Sequence, residues 1–155
     1  MTVAVAGSTV APARYDVVLT SLSSDAHTWN LVYLDLLLAE LGCRVTNLGP
    51  CTPDEAIVRA CSARRPDLLV ISSLNGHGCH DGVRLIGALR ACPELVATPV
   101  VIGGKLDVAG GDGRTAARLM AAGFDAVFDD ASGLTSFRSF ICSLPLRATA
   151  QIGVR

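Results

Sequence analysis

The chain has no CxxC pair, no cluster of basic residues, no long apolar run and few aromatics, and each shortage removes a class of function. Its six cysteines stand at 43, 51, 61, 79, 92 and 142, scattered without the two-pair spacing of a structural zinc site. They read as small apolar fillers of a reduced, intracellular domain, with the cytoplasm as the expected compartment, not as a disulfide framework. Thirteen Lys and Arg against fourteen Asp and Glu leave a formal charge of -1, and Arg64-Arg65 is the one adjacent basic pair. That gives no electrostatic footprint for a nucleic-acid backbone. No apolar stretch reaches the about 18 residues of a membrane span. Met1 to Gly7 is apolar but short and has no basic leader, which argues against a secretory signal. GxxxxGK[ST] is missing, so a P-loop is unsupported, and Gly76-His-Gly78 lacks the third glycine of a dinucleotide fingerprint. A phospho-receiver needs an acid after its third strand and a lysine after its fifth; here Ser72 and Lys105 fill neither role.

What remains is a chain of 155 residues, half of them apolar and 17% charged, a length and balance suited to one α/β domain. Residues 1–14 are turn-rich and read as an extension, with Val3 to Ala6 a candidate extra edge strand, and 145–155 as a tail. From Asp16 onward strand and helix patterns alternate. Strands are expected near 16–21, 43–48, 67–73, 98–102 and 124–128. Helices are expected near 30–41, 53–64, 79–91, 114–122 and 134–144. Gly42 ends the first helix. Thr52-Pro53-Asp54-Glu55 gives the second a hydroxyl cap, a proline at its first position and an acid beyond. The Leu-Leu-Val-Ile run after Pro66 is continuous, as in a strand buried on both faces. In the first helix Leu31, Leu34, Leu38 and Leu41 form an inward stripe, while Val32 and Leu36 begin a second one that covers the sheet edge or meets a partner. The expected fold is a doubly wound, five-stranded parallel sheet, Rossmann-like or flavodoxin-like, in the order 2-1-3-4-5, occupying 15–144.

In that order the ends of strands one, three and four share one rim, where ligands bind in this architecture. Three unusual loops fall there: Ser24 to Asn30, Ser72 to Gly78, and Gly103 to Lys105. In Asp25-Ala26-His27 a carboxylate two residues before an imidazole can hold one ring nitrogen and leave the other for a metal. Asp25 can equally cap the following helix, with His27 an ordinary loop residue. Ser72, Leu74 and Asn75 end the third strand, where a small hydroxyl can meet a planar ligand edge or merely close the strand. Gly103-Gly104 admits close approach of a ligand to backbone, or makes a turn. His77, Cys79 and His80 carry zinc-type donors but no evident fourth ligand. Asp129 and Asp130 suit a solvated turn or cap as well as the rim.

With Asp25-Ala-His27, Ser72-Ser-Leu74 and Gly103-Gly104 in order at three strand ends, the chain resembles the cobalamin-binding domains of base-off, His-on B12 enzymes, in particular small subunits of the glutamate mutase type, over roughly Tyr15 to Leu144. The resemblance implies that His27 is the lower cobalt ligand and Asp25 its carboxylate support. It implies that Ser72, Leu74, Gly103 and Gly104 line the cavity for the displaced dimethylbenzimidazole tail, with Ala26, Asn30 and Asn75 beside them. It further implies adenosylcobalamin as cofactor and a barrel-shaped (TIM-type) catalytic large subunit in a heterotetramer. An amino-acid substrate would sit on that partner, and the reaction would be radical interconversion of glutamate and 3-methylaspartate. A non-enzymatic corrinoid carrier or sensor would use the same His27. One position departs from the family motif: Asn30 stands where glycine is usual, and asparagine tolerates the left-handed bend that a glycine there suggests.

Overall fold

The computed structural model describes residues 13–109, 113–129 and 132–145. Val3 to Ala6, most of 1–14, residues 110–112, Asp130 and nearly all of 145–155 lie outside them. Five strands form one parallel sheet: β1 (Asp16–Thr20), β2 (Arg44–Asn47), β3 (Leu68–Ser73), β4 (Val100–Gly104) and β5 (Ala126–Phe128), in the order β2-β1-β3-β4-β5. The helices between and after them are α1 (Trp29–Glu40), α2 (Asp54–Arg64), α3 (Gly78–Arg90), α4 (Arg114–Ala122) and α5 (Gly133–Ser143), with one 3-10 turn at Pro93–Leu95. The expected topology is the observed one, and it places the change of winding direction between β1 and β3.

Strand alternation sorts the core into two layers. Val18, Leu69, Ile71, Val100 and Ile102 pack with Ile57 and Cys61 of α2, Leu85, Ile86 and Leu89 of α3, and Leu119 of α4. Val17, Leu19, Leu68, Val70 and Val101 face the other way, onto Leu31, Leu37 and Leu38 of α1 and Phe137 and Ile141 of α5. β3 is buried along its whole length, as its unbroken apolar run requires. The same alternation sends Ser72 and its register partner Gly103 to the α1/α5 face. Tyr15 donates its hydroxyl to Leu144 O at 2.5 Å, fastening the start of the domain to its last helix.

Three local expectations are corrected. Thr52 does not cap α2: its Oγ1 donates to Gly49 O at 2.9 Å, and the extended residue before the helix is Pro53. The acids Asp54 and Glu55 then lie in the first turn, where the helix dipole favours negative charge. Gly103-Gly104 is the end of β4, paired with Ser72 and Ser73, and not a turn after it. Cys43 and Cys61 are buried fillers, with burial pushing the Cys61 thiol up to about 11, and Cys79 and Cys92 pack half-buried against the core; Cys51 and Cys142 are instead exposed, on a loop and on the outer side of α5. Among the described residues nothing covers the second stripe of α1. Trp29, Val32, Tyr33 and Leu36 stand exposed along it.

Candidate functional site

At the carboxyl end of β1 the chain turns through Leu22 to Ala26, and this turn buries the Asp25 carboxylate completely. Each carboxylate oxygen has its own task. Oδ1 accepts from the His27 backbone N–H at 3.0 Å and meets His27 Nδ1 at 2.6 Å; Oδ2 accepts from Leu74 N–H, at the end of β3, at 2.6 Å. Burial pushes the acid's pKa upward, but the hydrogen bonds from His27 and Leu74, with the Ser73 hydroxyl, outweigh it and hold Asp25 below the usual carboxylate range. An ionised carboxylate only accepts, so Nδ1 carries the proton and Nε2 of a neutral ring presents its lone pair. The ring is about half exposed, with its side chain at 54%. Asp25 therefore does not cap α1, whose preceding residue is Thr28.

Other groups hold this turn from behind: Asn75, which the sequence singled out, and Cys51, Asp81 and Arg84, which it did not single out as site residues. Cys51, in the left-handed region at φ 53°, donates its N–H to Asp25 O at 2.8 Å. The Asn75 amide donates to Ser24 O and Oγ at 3.0 and 2.9 Å, and Ser24 Oγ donates to the buried Asp81 of α3. Arg84 ties Asp81 to Asp54 of α2 and reaches Ser23 Oγ at 3.1 Å. Asn75 is thus a brace between two rim loops, and its Oδ1 also accepts the His77 N–H. His77 precedes α3, and among the described residues no group of three metal-type ligands forms around it, Cys79 and His80. Asp129 follows β5, in the loop before α5.

Beside the His27 turn a cavity of about 340 Å³ opens between α1 and α5 above the sheet. Its floor is Ser72 and Leu74 of the β3 end with Gly103 and Gly104 of β4; its walls are Tyr33 and Leu34 of α1 and Phe128, Leu134 and Phe137 near α5. Both glycines are demanded by the backbone. A Cβ on Gly103 would meet Phe128 O at 2.9 Å, and one on Gly104, at φ +109°, would fall 2.2 Å from Ser73 O. Ala26 is the exposed link between Asp25 and His27 and takes no part in the cavity wall.

Asn30 corrects a further expectation. It is not in a left-handed bend: it is the second residue of α1, which starts earlier because the Leu31 and Val32 N–H groups already donate to Thr28 O. From there its amide Nδ2 donates to Ser72 Oγ at 2.7 Å, and the side chain lines the cavity. A lone-pair imidazole at a strand end, steadied by a buried acid, next to a largely apolar slot, is a donor set and cradle that fit a corrinoid: one nitrogen for the metal and a recess for a planar substituent.

Comparison with known proteins agrees with that geometry. Residues 15–133 match the B12 binding domain family. The chain belongs to this family of B12-binding domains. Within it, the chain is 36% identical over 118 residues to the glutamate mutase sigma subunit of Halobacterium salinarum, covering 76% of this chain and 78% of that one. It is also 37% identical over 95 residues to the HTH-type transcriptional repressor CarA of Myxococcus xanthus, there spanning 61% of this chain but 32% of the relative. The fold superposes with TM-score 0.64 on a cobalamin-binding protein from Desulfitobacterium hafniense, at 22% identity, over 83% of this chain and 59% of that one.

Proposed function

We propose that this chain is the adenosylcobalamin-binding small subunit of a carbon-skeleton mutase that interconverts L-glutamate and 3-methylaspartate. The observation that carries the reading is the Asp25-held imidazole of His27, with Nε2 free at the strand end beside the cavity. The relationship to glutamate mutase sigma subunits supports the mutase over other uses. His27 Nε2 would hold the cobalt, and Asp25 would keep the proton on Nδ1 and fix the ring's direction. Ser72, Leu74, Gly103, Gly104 and Asn30 would receive the displaced nucleotide tail and exclude water from it. Asn75 would steady the loops on which both depend. When bound, adenosylcobalamin supplies radical chemistry through its weak cobalt–carbon bond. On this reading the amino-acid substrate sits on a separate catalytic subunit of the TIM-barrel type, in a heterotetramer; the relationship to proteins named as subunits supports a partner.

A second reading, a corrinoid carrier or B12-dependent sensor without a catalytic partner, is favoured by the similarity to the CarA repressor. Substitutions at His27 and Asp25 test the site that both readings share, and turnover separates the readings. Cobalamin titration and electron paramagnetic resonance of the Co(II) form should give nitrogen splitting from the protein that is lost in His27→Ala; splitting that persists in the variant defeats the ligand assignment. Asp25→Asn should weaken binding about 10 to 100-fold, less than loss of His27. Rearrangement of glutamate by the chain combined with a barrel subunit, and not by the chain alone, supports the mutase; a complex that binds B12 but never rearranges glutamate supports the carrier.

A further inference from the structure

His27 takes its direction from Asp25, and the two residues before Asp25 are gripped by charged groups of α2 and α3. Asp81, in the first turn of α3, is only 6% exposed, and a buried carboxylate without a paired cation is costly. Among the described residues Arg84, one turn on, is the only cation that pairs with it: Nη1 donates to Asp81 Oδ1 at 3.0 Å. The rest of the guanidinium engages neighbours of the same turn. Nε and Nη2 donate to Asp54, at the start of α2, at 2.7 and 3.2 Å, and Nη2 reaches Ser23 Oγ at 3.1 Å. These bonds have a fixed sense. Ser24 Oγ donates its hydrogen to Asp81 Oδ2, so it is left to accept from Asn75 Nδ2 at 2.9 Å. That turns the Asn75 Oδ1 toward the Ser73 hydroxyl and the His77 N–H. The donors therefore run from Asn75 through Ser24 to Asp81, and Arg84 anchors the acceptor end.

We propose that Arg84 is a positioning residue for the metal ligand: by pairing with Asp81 and clamping Ser23 and Ser24 to α2 and α3, it holds the Asp25 turn, and through it the His27 ring, in the pose that presents Nε2. Loss of the guanidinium leaves Asp81 buried without a counter-charge and releases Ser23. The turn then relaxes, and the ring samples other directions. Arg90, on the same helix, separates this role from simple support of α3. It donates to Gly123 O, Leu95 O, Thr98 O and Asp125, groups that precede β4 and β5 at the end of the sheet away from His27. The inference rests on His27 being the cobalt ligand of a B12 protein.

The test loads the full chain with cobinamide, which has the corrin ring and cobalt but no nucleotide tail, in a buffer free of nitrogen ligands, so that any nitrogen on Co(II) comes from the protein. Electron paramagnetic resonance should show the His27 nitrogen on most of the parent's cobalt. Arg84→Met should lower the ratio of nitrogen-bound to unbound cobalt about tenfold, the low end of what losing support for a metal ligand costs. Arg84→Lys keeps the counter-charge, loses the fork, and should fall between the two. Arg90→Met should keep the parent's ratio even where urea unfolding shows it as destabilised as Arg84→Met. A second readout needs no cobalt: nitrogen NMR of the free chain, with His27 assigned through His27→Ala, should show Nδ1 protonated in the parent and a mixture of tautomers in Arg84→Met. A parent-like ratio and tautomer in Arg84→Met, or in Arg84→Lys should the first variant not fold, overturns the inference, as does an equal loss in Arg90→Met. A parent spectrum without nitrogen splitting instead overturns the His27 assignment itself.

Discussion

The two faces of one sheet are finished differently. On the α2/α3/α4 face the side chains of β1, β3 and β4 run into closed helical packing, and Leu69, Ile71, Leu85, Ile86 and Ile102 retain no exposure. On the α1/α5 face the same strands begin in a packed layer and end in open space, where Ser72 and Gly103 replace the apolar residues that would continue it. The difference teaches how one fold divides labour. One side supplies cohesion, and the other gives up packing near the strand ends so that a recess can exist.

Substitutions can break or sharpen this contrast. Ile86→Ala on the closed face should destabilise the domain most, by about 2–5 kcal/mol in urea unfolding, because its neighbours cannot collapse into the void. Next comes Gly104→Ala, where an unfavourable φ combines with the contact on Ser73 O; about 1–3 kcal/mol is expected, and a displaced Ser73 should also disturb the cavity floor. Gly49→Ala, at φ +85° but in open space, is its control and should carry only the conformational cost of about 1–2 kcal/mol. Asp25→Asn probes the join between the faces. Since the folded acid's pKa lies below its ordinary 3.8, its stabilisation is complete above that pH and is lost as the pH falls further, through the folded value. The parent's stability should therefore drop in that acidic window, and the drop should be smaller in Asp25→Asn; identical acid titrations would contradict the hydrogen-bond arrangement drawn for Asp25. The smallest effect is expected for Leu34→Ala on the cavity wall, less than about 1 kcal/mol, since part of its side chain already faces space. A loss as large as that of Ile86→Ala would mean that the open face is not open.

Much of this was legible in the chain, for physical reasons. The unbroken run of β3, the Gly42 stop and Pro66 fix element boundaries through burial and backbone freedom, both local properties. Asp25 and His27 lie two residues apart, so their pairing could be anticipated from spacing. The remainder depended on contacts between distant segments. Asp25 Oδ2 meets Leu74 across 49 residues, and Ser24 meets Asp81 across 57, separations at which no periodicity speaks. At Asn30 two local signals conflict: the family glycine suggests a left-handed bend, while the helical pattern over 30–41 includes the position, and Thr28 settles it by accepting the first helical hydrogen bonds of α1. Thr52 departs from its capping pattern because its hydroxyl has nearer acceptors in Gly49 and Leu48.

The division of the Asp25 carboxylate between His27 and Leu74 has a mechanical consequence. One oxygen grips the imidazole and the other grips the neighbouring strand, so the ring's tilt is referenced to the spacing of β1 and β3 and not to the loop that bears it. Any force transmitted along the central strands would swing Nε2, and any pull on that nitrogen would be felt at the heart of the sheet.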